Sequence, residues 1–429
     1  MRDELGVGVV SSTERFLGWR IAAIGALSMN CTIGLAWGSY GAILVQVQHE
    51  FATSRALASA VLGLETLAIA ALSPLVGAML NRVSIRIAMM VGATLNVVGY
   101  LAVSLVHSIW PALFIFSFIV GPGMCLLTMV PVNTLVTRWF ERDRGRILGL
   151  VHMPIFLMLG APISAFVASS YGPRGVFLML ACVFACLVPV FLLVVDRPEM
   201  VGQRPLAAGK RDDAPLSDLK SVTEIPLAGI LWSADFWLLS LGAAVLSAGS
   251  AAFTGHIVAN GIALGLSLQT ASFLLTAYGA GTICGSLILG WLSDRVGSIR
   301  LLIVLGIVQA GTWWLLSALS HFNPLIAASF VIGTGTGAII PLHSVTLARI
   351  FGQASFSKAL GWSYLVKMPF TFAAAPLAGA VFDATGSYRL GIDAQACLYG
   401  FAALLFAFLL IRPQALAKAE IGREGLEIH

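Results

Sequence analysis

The sequence predicts an all-α membrane protein with twelve transmembrane helices arranged as two pseudo-symmetric six-helix bundles. Of its 429 residues, 58% are hydrophobic and 10% are charged, which is more apolar surface than a soluble domain of this size buries. The apolar residues form twelve long runs. A short phrase also occurs twice, as GAMLNRVSIR from Gly77 and as GWLSDRVGSIR from Gly290, about half the chain apart. A repeat at half-length predicts two halves of one design.

Each apolar run is long enough to cross a bilayer. The hydrocarbon core is about 30 Å thick and needs roughly 20 apolar residues of helix. We predict helices rather than barrel strands because the runs are continuously apolar, and because a helix satisfies its own backbone groups in lipid. The predicted spans are 20–44, 56–80, 87–106, 111–136, 147–169, 176–195, 235–258, 269–292, 301–319, 325–348, 361–382 and 391–411.

One break in composition separates the two sets of six runs. Residues 196–233 are charged and rich in proline, glycine and alanine, so this segment is predicted to be a cytoplasmic linker. The domain assignment is therefore an N-terminal bundle at 1–195, the linker at 196–233, and at 234–429 a C-terminal bundle with a short cytoplasmic tail.

Lysine and arginine are distributed unevenly between the two predicted membrane faces. With the N-terminus inside, the inner segments hold 21 of the 25 basic residues, the outer loops hold Arg55, Arg174 and Arg389, and Lys367 lies within a span. This bias predicts that both termini are cytoplasmic, in a plasma (cytoplasmic or inner) membrane. It also explains the net charge of +5 without a nucleic-acid partner. The polar first 19 residues precede a run long enough to span, so no cleavable signal peptide is expected.

The repeat continues inside the helices. Pro131-Val132-Asn133 in helix 4 matches Pro341-Leu342-His343 in helix 10. In helices 5 and 11, Val151-His152-Met153-Pro154 matches Val366-Lys367-Met368-Pro369. Related halves in a membrane protein usually enclose a path between them, so this pattern favours transport.

At these motifs the chain resembles the major facilitator superfamily. The loop 2–3 signature of that family is matched by Gly290, Asp294, Arg295, Gly297 and Arg300, whereas the first copy has Asn81 for the Asp and Ser84 for the Gly. Two further segments resemble the monocarboxylate and oxalate/formate branch, namely Arg138-Trp139-Phe140 with Arg144-Gly145, and Asp383-Ala-Thr-Gly386-Ser-Tyr388. The resemblance implies the major facilitator fold and secondary transport.

Two groups of residues are candidates for gating. An Asp near the inner end of helix 8, Asp294, can pair with cations or cap amides of the opposite half, while Arg295 and Arg82 anchor their loops in the headgroups. The alternative is that these arginines serve orientation alone. Asn133 and His343 lie near the inner mouth, where a gate and a hydrogen-bonded core contact are both open.

Lys367 is the first candidate for substrate binding, because a charged group at membrane depth costs roughly 2.5–3.5 kcal/mol and points to function. It lies nine residues beyond Lys358, about 13 Å deeper, which exceeds the reach of a snorkelling side chain. Its repeat mate, His152, lies about 9 Å beyond Arg146. Cationic and titratable groups approaching from both halves suit a carboxylate, and the resemblance implies a substrate-binding lysine on helix 11. A structural ion pair and a headgroup contact remain the alternatives.

The resemblance also implies an arginine in helix 8, but residues 269–292 contain no lysine or arginine. We therefore expect a monoanion rather than a dicarboxylate, with Tyr278 donating a hydrogen bond. Tyr40 and Asn30 in helix 1 are further candidates, because helices 1, 4, 7 and 10 line the cavity in the resembling fold. Packing alone is the alternative for both.

Glu65 is the only carboxylate deep in a predicted span, which makes it the candidate for proton coupling. The alternative is a structural glutamic acid hydrogen-bonded to a neighbour. Counted from the inner boundary, Glu65 is about 22 Å deep and Lys367 about 10–13 Å, so a direct pair is not expected.

The function predicted from these features is secondary active transport of a small organic anion, a monocarboxylate, by alternating access, with protons as a candidate partner. An exporter of apolar or cationic compounds is the first alternative, although Gly160-Ala161-Pro162 lacks the Gly-Pro of such exporters. A membrane sensor or enzyme is the second, disfavoured because the polar groups at depth are scattered. We expect no enzymatic activity, cofactor, metal or nucleic acid, and a monomer in the lipid bilayer.

Overall fold

The computed structural model describes residues 16–80, 82–140, 144–206 and 225–412, without the side chains of 144, 145, 294, 353, 354 and 357. Within these ranges the chain forms helices joined by short connections, and no β-strand occurs. The predicted linker is described only near its ends, since residues 207–224 lie outside these ranges.

In the described ranges the chain has eleven helices long enough to span a membrane, and division of the longest gives twelve crossings, as the twelve apolar runs predict. The helix Arg146–Phe191 has 46 residues, about twice what a bilayer requires, and accounts for two of the crossings. We number the segments α1 (Gly18–Glu50), α2 (Arg55–Met79), α3 (Ile85–Leu105), α4 (Ile109–Trp139), α5 (146–171), α6 (173–191), α7 (Ala234–Ala263), α8 (Leu268–Val296), α9 (Ser298–Ala318), α10 (Phe322–Gly352), α11 (Lys358–Thr385) and α12 (Arg389–Ile411).

Two glycines turn the chain where consecutive helices run into one another. Gly172 between α5 and α6 has φ 68° and ψ −175°, and Gly352 between α10 and α11 has φ 73° and ψ 166°. A side chain disfavours this region, so glycine is the residue that permits both reversals. The two glycines are not equivalent positions of the repeat, because Gly172 joins helices 5 and 6 whereas Gly352 joins helices 10 and 11.

We name the two membrane faces by the chain ends and connections that lie at each of them. The terminal side carries Phe16 and Arg412, at the beginning of α1 and the end of α12. The distal side carries the α1–α2 and α11–α12 connections. Since α2 runs from the distal to the terminal side and α11 runs back, these two helices are antiparallel neighbours.

Among the described residues the halves meet mainly along three helix pairs, α1 with α7, α2 with α11, and α5 with α8, and α1 also touches α8. The α2–α11 contact is close because both helices present glycine. A methyl group on Gly63 would lie 2.6 Å from the Phe372 carbonyl oxygen, and one on Gly379 would lie 2.7 Å from the Ala56 amide nitrogen. At mid-depth Thr276 of α8 donates a 2.7 Å hydrogen bond to the Met158 carbonyl of α5. The described contacts between halves thus lie in the distal half or near the middle.

Candidate functional site

Lys367 lies on α11 and is buried, with 5% of its surface exposed. Its ammonium nitrogen lies 3.8 Å from the centre of the Tyr364 ring. Among the described residues it has no hydrogen-bond or ion-pair partner. The side chain therefore points into the protein rather than toward lipid headgroups, and carries a charge that the described protein does not neutralise.

A chain of hydroxyl groups and a histidine lies one helical turn from Lys367. Ser240 of α7 donates a 2.8 Å hydrogen bond to the hydroxyl of Ser363 on α11, and that hydroxyl lies 2.8 Å from Nε2 of His343 on α10. All three residues are fully buried. The sequence offers no signal for Ser240 or Ser363, since small hydroxyl residues are frequent throughout these helices.

The equivalent positions of the N-terminal half form a closed pair. Nε2 of His152 lies 2.6 Å from Oδ1 of Asn133, so the ring N–H donates to the amide oxygen. One residue was predicted to bind substrate and the other to gate. The structure brings them into contact with each other, at the terminal end of α4 and α5.

Asn30 of α1 satisfies backbone groups at a break in α5. The helix is interrupted at 152–154, where Pro154 lacks an N–H. The Asn30 amide donates to the Met153 carbonyl at 3.0 Å and accepts from the Phe156 amide at 2.9 Å. It also donates to Ala26, so three of its four hydrogen-bonding positions are occupied by protein.

The two tyrosines predicted to contact substrate also have protein partners. The Tyr40 hydroxyl donates to the Ala58 carbonyl at 2.7 Å, which joins α1 to α2. The Tyr278 hydroxyl lies 2.7 Å from that of Ser250, and its ring stacks on Phe253. Their contacts with substrate, like that of Asn30, stay predictions.

Glu65 of α2 is 2% exposed, and its Oε1 has no hydrogen-bond partner among the residues that the structure describes. The indole of Trp37 on α1 faces the carboxyl group, yet its N–H also lacks a partner of normal geometry. Glu65 is thus a buried acid with spare hydrogen-bonding capacity.

The depth estimate for Lys367 from the sequence was wrong. Facing pairs along α2 and α11 are 56/379, 59/375 and 63/372. Continued toward the terminal side, this register sets Lys367 opposite residues 67–68, about 3–5 Å along the axis from Glu65. The error arose because the backbone is already helical at 353–357, directly after Gly352, so counting from Lys358 underestimated the depth of Lys367. No ion pair joins the two described side chains.

A second polar cluster, on the distal side, joins the two halves. Asp383 at the end of α11 accepts hydrogen bonds from the first two amides of α2, from Arg55 at 3.0 Å and from Ala56 at 2.9 Å. The Arg55 guanidinium lies 3.7 Å from the centre of the Phe382 ring. The sequence assigned Arg55 to an outer loop, whereas it is 7% exposed in the interface between halves. The sequence signal for this contact was Asp383, the first residue of the motif that resembles the monocarboxylate and oxalate/formate branch.

Tyr388 and His256 extend this distal cluster into the C-terminal half. Arg55 donates to the Tyr388 hydroxyl at 3.1 Å, and that hydroxyl lies 3.0 Å from Nδ1 of His256. Burial raises the pKa of the Tyr388 phenol to about 12, so it stays a hydroxyl at neutral pH. Nε2 of His256 lies 2.8 Å from the Ala375 carbonyl and donates to it.

The loop residues predicted to gate lie at the terminal ends of α2 and α8. Arg82 is exposed, and Arg295 is exposed with its guanidinium 4.0 Å from the centre of the Trp291 ring. The side chain of Asp294 lies outside the described residues. Gating by these three residues stays a prediction.

A cavity of about 440 Å³ lies within the C-terminal half, between α7, α9, α11 and α12. Its lining is mainly apolar, with Ala373, Ala374 and Leu377 on one wall and His256 and Gln395 among its few polar groups. Lys367 does not line it, so this cavity is separate from the residues around that lysine.

Comparisons with known proteins agree with this architecture. The sequence profile of the Major Facilitator Superfamily matches residues 26–262 and again 239–428. The chain is 28% identical to monocarboxylate transporter 12 of Mus musculus over 364 residues, which cover 79% of this chain and 73% of that protein. It is 26% identical to monocarboxylate transporter 12 of Rattus norvegicus over 430 residues, covering 94% and 87%. With monocarboxylate transporter 13 of Bos taurus the identity is 25% over 320 residues, covering 74% and 71%.

Twelve apolar helices in two related halves and a profile match over almost the whole chain lead to one conclusion. The chain belongs to the major facilitator superfamily, as a multi-pass membrane transporter rather than an enzyme, and is similar to monocarboxylate transporters.

Proposed function

We propose that the protein carries a small monocarboxylate across the membrane by alternating access, with Lys367 as the group that binds the carboxylate. The observation that supports this most is the buried ammonium without a counter-charge. Removing an ion from water costs several kcal/mol in a protein, and the Tyr364 ring offsets about 0.5–2 kcal/mol of it. A carboxylate would supply the missing charge and hydrogen-bond acceptors.

The proposal of a monoanion rests on the number of available cations. No lysine or arginine occurs at 269–292, so α8 contributes no second strong cation within its span. The similar proteins are named as monocarboxylate transporters, which agrees with a single carboxylate.

Alternating access is supported by the one-sided contact between the halves. The distal cluster around Arg55 and Asp383 and the glycine contacts of α2 with α11 seal the distal side in this state. The opposite state requires these contacts to separate. The excess of lysine and arginine supports a cytoplasmic terminal side in a plasma or inner membrane.

Glu65 is proposed as the proton carrier. It is buried, has an unpartnered oxygen, and lies near the depth of Lys367. A proton on Glu65 would travel with a carboxylate on Lys367. Because their charges cancel, moving the two together through the membrane costs less free energy than moving the anion alone.

Counterflow of labelled pyruvate in proteoliposomes tests the substrate proposal. Lys367→Met removes the charge at nearly constant volume, and Arg389→Met, which removes an exposed distal cation, is the matched control. We expect Lys367→Met to lower affinity about 10–100-fold, as for a lost hydrogen bond to a charged group, and the control to change it little. Equal affinity for pyruvate in Lys367→Met and native protein would contradict the proposal.

Glu65→Gln tests proton coupling separately. We expect counterflow to continue, because exchange needs no net proton movement, and uptake driven by an imposed pH gradient to disappear. Uptake that still follows the gradient would exclude Glu65 as the carrier.

A further inference from the structure

Nδ1 of His343, a buried polar atom near Lys367, takes no part in the contacts described so far. Nδ1 of His343 is fully buried and has no hydrogen-bond partner in the described part of the chain, although Nε2 of the same ring is bonded to Ser363. A buried polar atom without a partner destabilises the fold, so its presence needs a reason.

The hydroxyl chain favours the tautomer of His343 that carries its proton on Nδ1. Ser240 donates its proton to the oxygen of Ser363. The Ser363 hydroxyl has one proton of its own, and Nε2 of His343 is the acceptor within 2.8 Å. With Ser363 as the donor to Nε2, Nδ1 carries the hydrogen, because a neutral imidazole has one donor and one acceptor nitrogen. The unpartnered atom is therefore a hydrogen-bond donor.

This donor and the Lys367 ammonium lie in one neighbourhood. Ser363 and Lys367 are four residues apart on α11 and so share a helix face, one turn apart. The Tyr364 ring contacts both groups, with its centre 3.8 Å from the ammonium nitrogen and 6.4 Å from the centre of the His343 ring at an angle of 82°. Two donors cannot satisfy each other, so the group that fits here accepts hydrogen bonds and is negatively charged.

We infer that Nδ1–H of His343 is the second donor of the carboxylate site, binding one oxygen while the Lys367 ammonium binds the other. Ser240 and Ser363 hold the imidazole in the donating tautomer. This rests on the proposed function, because it presumes that Lys367 binds a carboxylate. Tyr364 covers the ammonium in the described state. Two fixed donors select a carboxylate over a spherical anion such as chloride, which has no second oxygen to offer.

Two substitutions of His343 separate this role from a structural one. In His343→Gln the longer amide reaches Ser363 and no donor remains at the Nδ1 position. In His343→Asn the amide N–H stands near the Nδ1 position and the contact with Ser363 is lost. The measurements are the affinity of purified full-length protein for pyruvate and acetate, with chloride at equal ionic strength, and the Tm without ligand.

We expect His343→Gln to lower carboxylate affinity about 10–100-fold with little change in Tm, as for a lost hydrogen bond to an anion. His343→Asn should keep the affinity within about threefold of native and lower the Tm. Chloride should bind the native protein and His343→Gln equally weakly.

Native carboxylate affinity in His343→Gln, or an equal loss in both variants, would overturn the inference and leave His343 a packing role between α10 and α11. Lys367→Met measured alongside keeps the two proposals apart. If it loses affinity while His343→Gln does not, only the inference about His343 fails. If native protein and Lys367→Met bind no monocarboxylate, the proposed function fails.

Discussion

The two halves place polar groups at matching positions and satisfy them differently. In the N-terminal half, His152 donates to Asn133, and the pair closes on itself at 2.6 Å. In the C-terminal half the matching residues are Lys367 and His343, whose ammonium and Nδ1–H we infer to be two donors without an acceptor among the described residues. A donor–acceptor pair needs no third group, whereas a donor–donor pair does. The two halves therefore share a backbone arrangement, and the side chains of His343 and Lys367 make the C-terminal half the candidate binding half.

The largest effect is expected from converting the C-terminal pair into the N-terminal one. In the double variant His343→Asn with Lys367→His, the new imidazole can donate to the new amide, as in the other half. We expect carboxylate affinity to fall about 100-fold and Tm to stay above that of His343→Asn alone, because the new imidazole pairs with the new amide even though Ser363 loses its acceptor. Thermal-shift titration with pyruvate measures both quantities.

Each single substitution is the control for this double variant, since each leaves one group without its new partner and should lower Tm further. Native affinity in the double variant would show that the difference between the halves does not decide where the anion binds.

A second comparison concerns two aspartates with the same chemistry. Asp196 caps α3 inside the N-terminal half, accepting from the amides of Ile85 at 2.9 Å and Arg86 at 3.1 Å. Asp383 caps α2 across the two halves in the same manner. A cap of this kind is worth about 1 kcal/mol, a factor of about five in an equilibrium. In one place this free energy stabilises a fixed bundle, and in the other it stabilises a contact that transport must break.

Asp383→Ala is therefore expected to increase distal opening about fivefold, and Asp196→Ala to lower Tm without changing opening. Ser59→Cys places a thiol in the α2–α11 contact, where Ser59 is fully buried. Its rate of labelling by a membrane-impermeant reagent, corrected for protein without this cysteine, measures opening. Equal labelling in the two aspartate variants would remove the distinction between a fixed and a moving cap.

The smallest effect is expected at His152. His152→Gln keeps a donor near the Nε2 position, so the contact with Asn133 persists and carboxylate affinity should change less than about threefold. Counterflow of labelled pyruvate measures it beside Lys367→Met. A loss as large as that of the lysine variant would show that both halves bind the anion, as the sequence predicts for His152.

Which segments cross the membrane, and how many, followed from the sequence. Each crossing depends on about 20 neighbouring apolar residues, and this local property survives whatever the helices later contact. The half-length repeat is equally local, since it is read from residues 77–86 and 290–300. Lys367 was identified for the same reason, because a charge in an apolar run is conspicuous without any knowledge of its neighbours.

Contacts between remote helices were decided by the tertiary structure. The burial of Arg55 against Asp383 and the common depth of Glu65 and Lys367 depend on the register of α2 against α11, which local hydropathy does not encode. The free donor on His343 depends on hydroxyls from α7 and α11 meeting one ring of α10. Hydropathy acts on each segment separately, whereas hydrogen bonds are directional and need both partners in place. The sequence therefore determined the spans and their charges, and only the packing of the helices decided which polar groups are satisfied and which are left to bind.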